Sequence, residues 1–134
     1  GLKGNSLKNR IEELIPLCGL EVEAHKKISQ LSKGYRQRVG LAKALIHDPE
    51  VIILDEPTTG LDPNQLVEIR KLIKNISANK TLILSTHIMQ EVEAICDRVL
   101  IISKGKLQER NLTLVSIQLK EKNLESIFHQ ITQS

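Results

Sequence analysis

Aromatic residues are nearly absent: the 134 residues contain no tryptophan, one tyrosine and one phenylalanine. A protein that reads single-stranded nucleic acid by stacking needs aromatic platforms, and this chain has none to spare. The core must be built from leucine, isoleucine and valine. Cysteine is scarce as well. Cys18 and Cys96 stand far apart, with neither a CxxC pair nor metal-ligand spacing, so both are expected to be reduced, partly buried small hydrophobes in a cytosolic compartment. No apolar run approaches the ~20 residues needed to span a bilayer. A role at a membrane would need another chain to supply the span. The N-terminus shows no signal peptide and no initiator methionine.

What is present is ordinary for one soluble domain: 40% hydrophobic, 26% charged and a net charge of +3 from 19 basic and 16 acidic residues. The basic residues are scattered, which argues against a nucleic-acid surface.

The most informative stretch is Val51–Asp62, VIILDEPTTGLD. Four apolar residues read as a strand buried on both faces. They run into two adjacent carboxylates, Asp55 and Glu56, and then a turn. Open α/β sheets bind ligands at the carboxyl ends of their strands. Two acids there suit a metal-phosphate ligand better than packing, since capping of the next turn accounts for one acid but hardly for both.

Around this stretch the spacing predicts a helix over 7–18, a polar loop or loose helix over 21–30, and a helix over 34–47 with Ser32 as N-cap and Asp48-Pro49 as stop. Asp62-Pro63 starts the next helix, with Leu66, Ile69, Leu72, Ile73 and Ile76 at helical spacing and a stop near Asn79. Residues 81–85 (TLILS) read as a second buried strand, 89–96 as a helix, 99–103 as a third strand and 104–106 as a turn. Thr113–Leu119 alternates like an edge strand and Leu124–Ile131 reads as a terminal helix. Strands and helices in this rhythm predict parallel βαβ units, hence an α/β fold.

Four segments in order, LSKGYRQR (31–38), VIILDEP (51–57), TTGLD (58–62) and STH (85–87), resemble the signature motif, Walker B, D-loop and switch histidine of ABC transporter ATP-binding subunits. The likeness covers nearly all of residues 8–107 and is nearest to the gliding-motility-associated, export-type subunits. LESIFHQIT (124–132) is similar to that group's C-terminal helix. The resemblance implies a partial P-loop NTPase fold divided as 1–50 (helical subdomain with the signature), 51–110 (α/β core) and 111–134 (C-terminal extension). It implies ATP and Mg²⁺ as ligands, a second ATP-binding subunit and a membrane permease as partners with no nucleic acid, and a cytoplasmic place on the inner face of the membrane through that permease.

By the same resemblance Asp55 holds Mg²⁺, directly or through water, and Glu56 orients and deprotonates the attacking water. His87 contacts the γ-phosphate and the base, whereas His25, His47 and His129 lack such context. Ser32, Lys33 and Gly34 present a helix N-terminus to nucleotide on the other subunit: Ser32 by its hydroxyl, Lys33 by its charge, Gly34 by close backbone approach. Asp62 caps a helix and belongs to the partner-facing D-loop. The signature departs from LSGGQ, with Lys33 in place of a glycine and Tyr35 in place of the glutamine.

The pattern GxxxxGK[ST] does not occur in the sequence, and nothing answers to a glutamine loop. The chain therefore reads as a C-terminal part of an ATP-binding subunit, inactive alone, with the P-loop strand missing from between the strands at 81–85 and 99–103 and a marginal fold in isolation. Two other readings stand beside this one: a non-catalytic interaction fragment, and a soluble ABC-type ATPase acting on nucleic acid or ribosomes.

Overall fold

The structure, a computed structural model, describes residues 2–113 and 128–129. It divides into two compact units, Gly1–Ser85 and Thr86–Ser134.

The first unit opens with α1 (Gly4–Leu17), which begins three residues before the expected start. Lys8–Glu12 and Arg10–Glu13 ion pairs lie along it, and Leu14 is buried. Pro16 sits in the last turn, and the helix closes in a Schellman motif. Leu20 N donates to Ile15 O at 2.9 Å, Gly19 N donates to Pro16 O at 3.0 Å, and Gly19 adopts φ +61°. A Cβ at Gly19 would also collide with the Arg38 guanidinium, which donates to the Cys18 and Gly19 carbonyls at 3.2 and 3.4 Å. Burial pushes the Cys18 thiol up to about 11, with the Arg38 charge opposing, so it stays a protonated, inert hydrophobe. Burial raises Cys96 too, helped by Asp97.

After a 3-10 turn at Ile28–Gln30 comes α2 (Lys33–Leu45), capped as expected by Ser32, whose hydroxyl accepts from Tyr35 N at 3.3 Å. The helix stops at Leu45, short of the Asp48-Pro49 break, because Asp48 turns the chain with φ +53°. Asp48 takes Arg10 at 3.2 Å and Lys80 at 2.7 Å, joining α1 to the loop before the second strand.

Next come β1 (Val51–Asp55), α3 (Pro63–Ser77) and β2 (Thr81–Ser85). The strands pair in parallel with Ile53 opposite Ile83 and Asp55 opposite Ser85, as the βαβ reading requires. Asp62 caps α3, accepting from Asn64 N at 3.0 Å and Gln65 N at 2.9 Å, while Gln65 Oε1 accepts from Asp62 N at 3.3 Å, a full capping box. Ile69, Leu72, Ile73 and Ile76 are buried with Ile52 and Leu54, and form the core of this unit with Leu14, Leu41 and Leu45.

The strands are not buried on both faces as expected. Ile52 and Leu54 are buried, but Val51, Ile53 and Ile83 are 51%, 72% and 51% exposed. A continuous apolar run marks a strand that needs cover on both sides. Among the described residues of this unit only one side of the ladder is covered.

The second unit holds α4 (Met89–Ile95), β3 (Arg98–Ser103) and β4 (Lys106–Thr113). Sequence rhythm predicted β3 as another parallel strand. Instead it forms an antiparallel hairpin with β4, a strand the reading missed. The signal was present in Lys104-Gly105. Both residues have positive φ, +50° and +71°, the two-residue turn that matches strand twist. The strand expected at 113–119 and the helix expected at 124–131 lie, apart from Thr113 and residues 128–129, outside the described residues.

Candidate functional site

Asp55 is the last residue of β1 and stands on the open face of the ladder. Register places Ser85 beside it, and the Ser85 hydroxyl donates to Asp55 Oδ1. Sequence reading missed Ser85 as a support. Only the register of β1 on β2 reveals it.

Glu56 follows in the left-handed region at φ +47°. Such backbone is costly for a residue with a side chain and persists where neighbours fix it. Three contacts do so. Glu56 N donates to Ser85 O at 3.0 Å, Thr59 N donates to Glu56 O at 3.2 Å, and the Thr59 hydroxyl donates to Glu56 Oε2 at 2.8 Å. The turn that follows the strand thus aims the carboxylate as well as reversing the chain. Thr58 beside it is 2% exposed, and its hydroxyl has no hydrogen-bond partner among the described residues.

The residues of the LSKG segment lie in the same unit. Ser32, Lys33 and Gly34 form the N-terminal end of α2, with Ser32 and Lys33 exposed and Gly34 buried. The Lys33 ammonium lies over Gly60 of the TTGLD turn, whose φ is +72°. Gln65 of α3 lies over Gly34. Tyr35, in the position where a glutamine was expected, carries the Arg38 guanidinium 5.6 Å from its ring centre. Arg38 also pairs with Glu68 of α3. The first unit therefore brings Ser32, Lys33, Gly34 and Asp62 to neighbouring helix starts, and sets Asp55 and Glu56 at the strand tip of the same unit.

His87 belongs to the second unit. It is exposed in the turn before α4, where Ile88 N donates to the Thr86 hydroxyl at 3.1 Å.

No group of three metal-binding side chains occurs among the described residues. Mg²⁺ takes one or two carboxylates and fills the rest of its shell with phosphate oxygens and water. Asp55, exposed at a strand tip and oriented by a hydroxyl, is a donor of that kind.

The arrangement is an α/β fold of the ABC ATPase-like type, with an acid pair at the tip of a parallel strand and the next helix capped by the turn that follows. Comparison with known proteins agrees. Residues 2–59 match the ABC transporter family. The chain is 42% identical over 132 residues to the uncharacterized ABC transporter ATP-binding protein YhcH of Bacillus subtilis, covering 94% of this chain and 41% of that protein. It is 42% identical over 127 residues to the bacitracin transport ATP-binding protein BcrA of Bacillus licheniformis, covering 87% of this chain and 42% of that one. It is 40% identical over 130 residues to the methionine import ATP-binding protein MetN 2 of Bacillus cereus, covering 95% and 38%. The structure of cbiO1 from Clostridium perfringens, described as part of the ABC transporter complex cbiONQ, superposes with a TM-score of 0.79 at 29% identity, covering 97% of this chain and 55% of that one. The chain is thus similar in sequence and fold to ABC transporter ATP-binding subunits over most of its own length. It spans about two fifths of the length of the curated relatives it matches.

Proposed function

We propose that this chain is the catalytic-acid and signature portion of an ATP-hydrolysing ABC transporter subunit, of the export type and nearest to those serving gliding motility. The observation that carries this reading is the β1 tip, where Asp55 and Glu56 are each held by a hydroxyl from another position, Ser85 and Thr59. Asp55 would hold Mg²⁺, directly or through water, and the ion would supply charge neutralisation for the phosphates. Glu56 takes a proton from the attacking water through its carboxylate. By resemblance His87 contacts the γ-phosphate and the base. The Ser32 hydroxyl, the Lys33 charge and the Gly34 amide face nucleotide held on a second subunit, and Asp62 in its turn meets that subunit.

A P-loop supplies the amides and lysine that cradle the β- and γ-phosphates, and this sequence contains no GxxxxGK[ST]. Hydrolysis therefore needs a segment that carries one. Residues 1–50 act as the helical signature part, 51–110 as the catalytic core and 111–134 as an extension. No described helix is long and apolar enough to cross a membrane. In this reading the subunit sits at the inner membrane face through a permease. The relatives named above are described as serving import in one case and bacitracin transport in another. The cargo is accordingly a property to be assigned by the permease.

The test is ATP hydrolysis by this chain joined to a P-loop-bearing segment of a relative. The expected result is Mg-dependent turnover that Glu56→Gln reduces by about 10²–10⁴. Undiminished hydrolysis in Glu56→Gln would overturn the reading. The competing reading, a non-catalytic interaction fragment, is motivated by the missing P-loop pattern. It predicts no hydrolysis in either form.

A further inference from the structure

Two glycines at the helix starts of the first unit are filled by each other's neighbours. A Cβ at Gly34, near the start of α2, would lie 2.9 Å from Gln65 Cδ and 3.1 Å from its Cγ and Nε2. A Cβ at Gly60, in the turn before α3, would overlap the Lys33 ammonium and lie 3.3 Å from its Cε. Each helix start thus contributes one bare backbone position and one side chain laid across the other's bare position. Gln65 is not free to swing aside without loss, because its Oε1 closes the capping box on Asp62 N and its stem is half-buried. Lys33 is different. Its far end is flexible, so Gly60 is required more by its φ of +72° than by Lys33.

We propose that Gln65 is a positioning residue that sets the LSKG helix start against the TTGLD turn by packing on Gly34, and that Gly34 is glycine because Gln65 needs its space. The Gly34 backbone is not left-handed, since its φ lies in the range open to any residue. An alanine there has the better helix propensity and, on that ground alone, should raise the unfolding midpoint by roughly 2–5 °C. The contact with Gln65 reverses the sign. A structural change acting through one pair of side chains is seen as non-additivity in a double-mutant cycle.

The experiment is thermal unfolding of the full chain and of Gly34→Ala, Gln65→Ala, Gln65→Glu and the combinations with Gly34→Ala. Gly34→Ala is expected to lower the midpoint when residue 65 is Gln or Glu, which have the same stem, and to raise it in the Gln65→Ala background. Amide resonances of residues 33–35 and 60–62 are expected to shift in Gln65→Ala and to stay in place in Gln65→Glu. If Gly34→Ala fails to fold while Gly34→Ala/Gln65→Ala folds, the proposal holds. If alanine at 34 has the same effect whatever stands at 65, or if both of those chains fail to fold, it is overturned.

The consequence for hydrolysis rests on the ATPase reading given above. In the P-loop-supplemented protein Gln65→Ala lowers kcat with little change in KM for ATP, because the signature start is displaced rather than removed. The unfolding cycle does not depend on that reading. Loss of the sign reversal sinks the interlock whatever the ATPase does, and undiminished turnover in Glu56→Gln sinks the ATPase reading whatever the cycle shows.

Discussion

Glu56 takes up a left-handed backbone immediately after a strand whose alternate residues face opposite ways. This single dihedral carries its carboxylate out of line with Asp55, so the two acids leave the strand tip in different settings, one against the Ser85 hydroxyl and one against Thr59. The acids themselves were legible in the sequence as a pair beside an apolar run. The hydroxyls were not, because serine and threonine are common, and only strand register or turn geometry selects these two. Burial shows the same limit. Val51–Leu54 reads as uniformly apolar, yet Leu54 is 9% exposed and Ile53 is 72% exposed. In the chain as it stands, Leu54→Ala should cost about 2–5 kcal/mol and Ile53→Ala much less, measured by urea unfolding. Equal losses would mean that something covers the Ile53 face in solution.

At the scale of elements, local chemistry was the best guide. Asp62-Pro63 announced α3, Ser32 announced α2, and the parallel βαβ unit followed from helix and strand rhythm. The β3–β4 hairpin escaped because its turn, Lys104-Gly105, reads as a connection and β4 carries charge along its length. The junction at Asp48 escaped too. Its Asp-Pro pair signals only a stop, whereas Lys80 and Arg10 reach it from 32 and 38 residues away. The Lys80 hydrogen bond and charge hold the Asp48 carboxyl below its ordinary value, with Arg10 adding to the effect. A carboxylate whose folded value is depressed adds stability above its unfolded value, and that stability is lost as pH falls through the folded one. Stability should therefore decline below about pH 4 partly through this group. Asp48→Asn should flatten that part of the profile and leave the slope near neutrality alone, as read from midpoints across a pH series. An unchanged acid limb in Asp48→Asn would remove the junction from the account.

At the scale of the whole molecule, motif order was decisive where any one motif was weak. LSKGYRQR, VIILDEP, TTGLD and STH in sequence pointed to the ABC transporter ATP-binding family. Relatives at 40–42% identity and a superposition at TM-score 0.79 agree. The open face of the β1–β2 ladder had no counterpart in the sequence. An apolar run does not say whether its second cover lies within the same 134 residues. On the proposed reading, the β1 tip grips a magnesium nucleotide. The most direct test of that grip is paramagnetic broadening of amide resonances when Mn²⁺·ATP is added to the labelled chain joined to a P-loop-bearing segment. Broadening should be strongest at Asp55, Glu56 and Ser85 and should be relieved by Asp55→Asn. Sharp resonances at those three positions while others broaden would contradict it.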